Sequence, residues 1–309
     1  MALGTNNTTA AVAGNFIPAL WSDEVIGAYK TNLVIANTVT KLSHKGKKGN
    51  TIKIPVPNRG AASIKAAGSQ VTLSAATNSV VDVVINRHFE YSKLIEDIAE
   101  VQALASMRKF YTDDAGHALA TSVDNDLIAL GEGFNSGTTV DKSYDTAFIG
   151  TGTTAFSGTN EAAISDAGIR AFILNLDNAD VPMDNRVLII PPVAANTLLG
   201  IQRFTEQSFI GNGDAIKNGQ IGQIYGIDVL VSTNCATVKA NAGTGNSAAG
   251  TERVGIMMHK DALILAEQVG VRTQTQYKQE YLGDLLTADT LYGVKELRND
   301  AGLAFVVPA

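Results

Sequence analysis

An α+β fold is predicted for this chain from three observations. Ile52, Ile54 and Val56, and later Val81, Val83 and Ile85, recur at every second position, which is the period of strands. From Val101 to Leu130 the apolar positions step by three or four, which is the period of a helix. Beyond residue 160, apolar runs of strand length alternate with helical segments, the pattern of a compact α/β unit.

The elements follow in order. Residues 1–15 read as an arm, and "FIPALWSDEVIGAYKTNLVIANTV" follows as a helix with Pro18 near its start and Ser22, Asp23 and Glu24 as cap-like residues. The first strand alternates Ile52, Ile54 and Val56 with Thr51, Lys53 and Pro55. Pro55 and Pro57 lack an N–H, which places this strand at an edge or in a projecting hairpin. "NRGAASIKAAGSQ" is loop, and the second strand runs through Val81, Val83 and Ile85 and on through Arg87, Phe89 and Tyr91. Ile52, Ile54 and Val56 are expected to pair with the strand around residues 81–85. Such a hairpin has little core of its own and is marginal in water, so it needs a partner surface.

One amphipathic helix is expected over residues 97–132, about nine or ten turns long. Val101, Leu104, Met107, Tyr111, Ala115, Leu119, Val123, Leu127 and Leu130 form its stripe, Lys109, Asp113, His117 and Asp124 fall between, and Gly116 is the point of flexure. That length suits a spine crossing the molecule. The Gly/Thr/Ser-rich stretch from "GEGF" to "SGTN" is a connector and the best internal boundary. A helix over 161–178, the strand "RVLIIPP", the helix "VAANTLL" and the strand "IYGIDVLVSTN" come next. "KANAGTGNSAAGTE" is a flexible loop, and "RVGIMMHKDALILAEQ" reads as strand then helix. "VRTQTQYKQEY" and "TLYGVKELRNDAGLAFVVP" alternate as long strands, with Asn299, Asp300, Ala301 and Gly302 as a hairpin turn.

Composition excludes several function classes. A formal charge of −6 argues against a chain whose main task is gripping nucleic acid. Cys235 is the single cysteine, so no intrachain disulfide forms, which fits maturation in a reducing cytoplasm. The N-terminal residues lack the basic and apolar regions of a secretory signal, and no run approaches the ~18–20 apolar residues of a membrane span.

A search for chemistry finds no catalytic, cofactor or metal constellation. "GNGDAIKNG" begins like a dinucleotide fingerprint but carries Ile216 where the third glycine belongs. "KGKKGNT" has the wrong glycine spacing for a phosphate loop and opens a strand. His44, His88, His117 and His259 are scattered, without metal-ligand spacing. Cys235 with His259 is the one conceivable nucleophile dyad, and a quiet thiol is the better reading. The adjacent carboxylates Asp23/Glu24, Glu96/Asp97 and Asp113/Asp114 point to different azimuths and read as caps and solvated faces. These residues alone leave an α+β protein of unknown task, with a small-molecule enzyme using the α/β half as one open reading.

The order of the parts carries more. Arm and helix, proline-bearing hairpin, very long helix, connector, α/β unit and returning strands together resemble the major capsid protein of tailed bacteriophages (Caudovirales-type), the Hong Kong 97-like fold, of the podovirus and cyanophage kind. The phrases that carry the resemblance are "LVIANTVTKLSHKGKKGNTIKIPVP", "YSKLIEDIAEVQA", "LDNADVPMDNRVLIIPPVAANTLL", "GQIGQIYGIDVLVSTN" and "GIMMHKDALILAEQ". It spans about Phe16 to Val307.

The resemblance implies a structural subunit and not an enzyme, with no cofactor. It implies pentamers and hexamers that close into an icosahedral head around double-stranded DNA, in a virion assembled in the host bacterial cytoplasm. Its parts are an N-terminal arm and helix (1–45), an extended loop (46–95), a peripheral domain with the spine helix (96–160), an axial domain (161–270) and peripheral return strands (271–309). A separate scaffolding protein is expected because only about 15 residues precede the first helix; a portal and a decoration protein are further partners, and no membrane is involved. Lys45, Lys47, Lys48, Arg59 and Lys65 of the extended loop, and Asp113 and Asp114 of the spine helix, are the expected inter-subunit contacts. An encapsulin-like compartment is the alternative within the same fold.

Overall fold

The structure is a computed structural model, and it describes residues 34–46, 48–57, 62, 64–65, 67–68, 70, 78–98, 107–134, 147–154, 156, 162–201, 222–235, 237–239 and 249–308. The expected N-terminal helix falls largely outside these; its last residues form a 3-10 turn, Ile35–Asn37. Two larger sheets and a two-stranded hairpin organise the rest. The first sheet has the order β1-β11-β12-β4, from β1 (Thr40–Ser43), β4 (Arg87–Glu96), β11 (Leu263–Lys278) and β12 (Gly283–Glu296). Only β1 lies parallel to its neighbour; the other pairs are antiparallel.

The second sheet has seven strands. Its path is β5 (Phe148–Ile149), β13 (Gly302–Val307), β10 (Ala249–His259), β6 (Arg186–Ile190), β8 (Ile227–Val231) and β7 (Gln223–Ile224), with β9 (Thr237–Lys239) beside β10. Every residue of β6 and β13 is buried, because both faces of the sheet are covered. Leu303, Phe305 and Val307 enter the main core, while Ala304 and Val306 join Ile149, Phe156 and Val254 on the other face. The Phe305 ring stacks on Phe172 at 4.7 Å between centroids. The same ring lies over Gly255, where a Cβ would come within 2.3 Å of it.

Among the described residues, three helices pack onto this frame, besides the helical Asp97 and Ile98. Helix α1 (Met107–Gly131) is the spine, about 37 Å long at 1.5 Å per residue. Ala115 and Leu119 meet Ala288 of β12, with Phe89 and Tyr91 beside them, and further along Leu127 and Ile128 enter the main core. One helix therefore joins the two sheets. Helix α2 (Asp166–Asn178) is capped by Ser165, whose side chain accepts from the Gly168 N–H at 3.1 Å. Helix α3 (Pro192–Leu199) opens on proline at a position that needs no N–H donor.

Several expectations are corrected. The start of the helix at 97 is not among them: β4 ends at Glu96, Asp97 and Ile98 are helical, residues 99–106 lie outside the described set, and the helix described beyond them spans Met107–Gly131. The helix runs unbroken through Gly116, the expected point of flexure. The segment from Leu263 is a strand and not a helix. Leu263 and Leu265 enter the main core while Ile264 and Ala266 pack under the hairpin, so both faces are buried and the alternation is hidden in a continuous apolar run. Asn299–Ala301 is a 3-10 turn that carries the chain from one sheet to the other; the tight hairpin is instead β11–β12, where Lys278 faces Gly283. The second hairpin strand divides near Ile85: β3 (Asn78–Val84) pairs with β2 (Thr51–Pro57), and β4 pairs with β12. The ends of the glycine-rich loop, Lys239 and Ala249, face each other in a β9–β10 ladder, and residues 240–248 lie outside the described set.

Candidate assembly surfaces

The β2–β3 hairpin is held by one face only. Ile52 faces Val83, Ile54 faces Val81 and Val56 faces Ser79, as the period-two pattern predicts. Val83 and Ile85 pack with Ile264, Ala266, Leu42 and Leu291 of the four-stranded sheet. On the opposite face Val80 and Val84 are exposed, and Lys53 stands across from Asp82. Beyond Pro57 the described loop residues, Ile64 and Lys65 among them, are exposed. The base of the hairpin is seated, and the described residues of its far end are exposed.

The expected contact residues are dispersed within the subunit. Lys45 pairs with Glu267 at 3.0 Å, an exposed contact whose own stabilisation is small. Lys48 and Lys65 are exposed, while Lys47 and Arg59 lie outside the described residues. Asp114 is half-buried and accepts from the Tyr91 hydroxyl at 2.9 Å, and Asp113 is exposed on α1. Burial, and then the Asp114 carboxylate, push the Tyr91 phenol up to about 12.

Carboxylates along the spine and its sheet are matched in the same chain. Asp126 accepts from the Tyr292 hydroxyl at 2.8 Å and lies 3.6 Å from the Arg87 guanidinium. Asp289 accepts two bonds from Arg272, at 2.7 and 2.8 Å, with His88 at 3.3 Å; the Arg272 hydrogen bond holds the Asp289 carboxyl below its ordinary value. Asp284 pairs with Arg108. A pairing of lysines with carboxylates across subunits has to compete with these local partners.

The structure shows one polar site that spacing had placed on the solvent side. Asp124 is fully buried. Its Oδ1 accepts from the N–H of Ile35 at 3.0 Å and of Ala36 at 3.4 Å, and its Oδ2 accepts from the Asn234 amide at 3.3 Å. It thus ties the Ile35–Asn37 turn to the spine and to the seven-stranded unit. Burial pushes this carboxyl above its ordinary range, against the hydrogen bonds that oppose the shift. The available signal was Asp124 standing three and four residues before Leu127 and Ile128, on the buried side of the helix end.

Cys235 is buried and its thiol is pushed up to about 12, chiefly by burial. The His259 Nδ1 accepts from the Asp261 N–H at 3.2 Å. Among the described residues no group of three His, Cys, Asp or Glu side chains could hold a metal ion, and no helix is long and apolar enough to cross a membrane.

No protein-family model matches the chain, and no curated protein matches it. Solved structures do. A chain of Mycobacterium phage Che8 is similar at a TM-score of 0.73 and 24% identity, over 94% of this chain and 97% of that one. The capsid of the cyanophage P-SCSP1u gives 0.76 and 20% identity, over 99% and 96%. This chain has the Hong Kong 97-like phage capsid fold. The acid-stable capsid of Helicobacter pylori bacteriophage KHP30 is similar at 0.72 with only 13% identity, over 99% and 100%, so the architecture is shared where the sequence is not.

Proposed function

We propose that this chain is the major capsid protein of a tailed bacteriophage, a subunit that self-assembles into pentamers and hexamers of an icosahedral head around double-stranded DNA. The observation that carries the reading is the likeness in fold over nearly the full length of both chains to capsids such as that of cyanophage P-SCSP1u. The subunit's own physics supports it: a hairpin seated on one face only, a spine joining two sheets, and carboxylates engaged in structural pairs. Net acidity suits a shell that must not hold its DNA tightly, since each Lys or Arg on a phosphate adds salt-dependent affinity. The encapsulin-like and enzyme readings have no such support.

In this reading the chain divides into the arm (1–45), extended loop (46–95), spine region (96–160), axial domain (161–270) and return strands (271–309). β11 crosses the last boundary and β13 returns to the axial sheet. A separate scaffolding protein, a portal and a decoration protein are its partners, and assembly takes place in the host cytoplasm. The exposed Lys48 and Lys65 reach a neighbouring subunit, with Lys47 and Arg59 of the same loop; Lys45 does so only by leaving Glu267. Asp113 and Asp114 are the acidic counterparts, Asp114 at the expense of its Tyr91 bond. Replacing residues 59–78 by a short turn tests the loop's role. The variant should remain folded by circular dichroism and fail to close shells in negative-stain images; complete shells from it would show that the loop does not tie subunits together.

A further inference from the structure

The chain passes from the seven-stranded sheet to the four-stranded one at the turn between β10 and β11, and that turn is closed through a histidine. His259, the last residue of β10, is only 7% exposed. Its Nδ1 accepts from the Asp261 N–H at 3.2 Å, and its carbonyl accepts from the Ala262 N–H at 2.9 Å. Because Nδ1 accepts, the neutral ring carries its proton on Nε2. The same turn holds the start of β1. The Thr40 N–H donates to the Lys260 carbonyl at 3.2 Å, and the Thr40 hydroxyl donates to the Asp261 carboxylate at 2.8 Å. Imidazole, carboxylate and hydroxyl thus lie in series, with the second Asp261 oxygen 3.8 Å from Nδ1.

We propose that His259 is a proton-operated catch on β1. A proton taken up at Nδ1 turns that atom from acceptor to donor. The Asp261 N–H then loses its acceptor, and the Asp261 carboxylate gains a charged donor in the imidazolium. The carboxylate swings from Thr40 to Nδ1, the Lys260–Asp261 backbone turns with it, and β1 loses both of its bonds to the turn. Among the described residues, the surrounding charges favour this exchange. Arg186 stands across from His259 in the ladder with β6, and its guanidinium is engaged by Asp177 at 2.7 Å and by the Val181 and Pro182 carbonyls. A fixed cation there directs an imidazolium toward Asp261 and away from β6. On the β13 side Gly302 and the buried Ala301 bring no charge. Arg298, whose N–H donates to the Ala262 carbonyl, is paired with Asp300 at 2.8 Å, and Lys260 is exposed. From β1 the chain runs on through His44 into the hairpin, so the root of the hairpin loosens with it. This catch works within one subunit, whether or not shells form.

Hydrogen exchange of dissociated subunits at about pH 7.5 and about pH 5 tests it, read as protection factors so that the chemical dependence of exchange on pH cancels. Protection across residues 40–43 should fall about threefold or more on acidification, while that of β6 stays level. In His259→Asn the side-chain oxygen still accepts from the Asp261 N–H and takes up no proton, so the fall should vanish. Asp261→Asn keeps an acceptor for Thr40 and removes the charge that draws the imidazolium, so it too should hold its protection at the lower pH; it decides the matter if His259→Asn does not fold. Unchanged protection of β1 in the parent, the same acid loosening in either variant, or a loosening shared equally by β6 overturns the inference.

Discussion

Asp124 is the polar residue on which the joint between the Ile35–Asn37 turn, the spine helix and the seven-stranded unit depends, and Asp124→Ala tests that dependence. The substitution removes the acceptor for the buried Ile35 N–H, for the Ala36 N–H and for the Asn234 amide. An orphaned buried donor costs about 1–3 kcal/mol; the two half-buried donors recover part of their loss from water and add about 1–2 kcal/mol. Some of this is offset because a buried carboxylate no longer has to be desolvated, leaving about 2–4 kcal/mol of destabilisation. Asp124→Asn keeps one oxygen toward Ile35, and Asn234 can turn its own amide to match, so it should cost about 1 kcal/mol or less. Urea denaturation of subunits followed by circular dichroism reads both. The pH dependence has a definite sign. A carboxyl whose folded pKa is raised stabilises the fold below its unfolded value, and that contribution is lost as pH rises through the folded value. The parent should therefore lose stability over that window, and Asp124→Asn should flatten the loss. An Asp124→Ala subunit within about 0.5 kcal/mol of the parent would refute the account of the joint.

Other expectations are simpler to state. Cys235, with its thiol pushed up to about 12, should resist iodoacetamide in native subunits at pH 8 and react in urea; rapid native labelling would contradict its burial. Gly116 has open space where a Cβ would stand, so Gly116→Ala should stabilise the spine by about 0.5–1 kcal/mol, read from urea midpoints. At Gly168 a Cβ would lie 2.0 Å from the Gly150 carbonyl, so Gly168→Ala should destabilise; equal effects at the two glycines would count against the packing described. Asp289, held low by Arg272, contributes stability that is present above the ordinary carboxylate value and lost as pH falls through the lowered one. Arg272→Gln should soften that acid loss slightly, and an unchanged acid limb would show the exposed pair to be inert.

Much of the fold could be read from local pattern, and the failures share a cause. The β2–β3 register followed from alternation because that hairpin buries one face, and the spine was visible because its buried stripe keeps a helical period past Ala115 and Leu119. Residues 263–266 gave no such signal, since neighbouring side chains enter different cores. The end of β12 misled for another reason. Asn299, Asp300 and Gly302 have turn chemistry, but turn chemistry does not say which sheet the next strand joins. Among candidate contacts, Asp114 is half-buried because Tyr91 arrives from β4, a tertiary event that sequence spacing does not encode.

The central claim is that many copies of this chain close into one shell. Cryo-electron microscopy of particles formed by the expressed chain tests it most directly. The account predicts closed particles with fivefold vertices and sixfold capsomers, in which the loop beyond Pro57 lies over a neighbouring subunit. A uniform population of monomers, with no shells, tubes or capsomers under any salt condition, would contradict it.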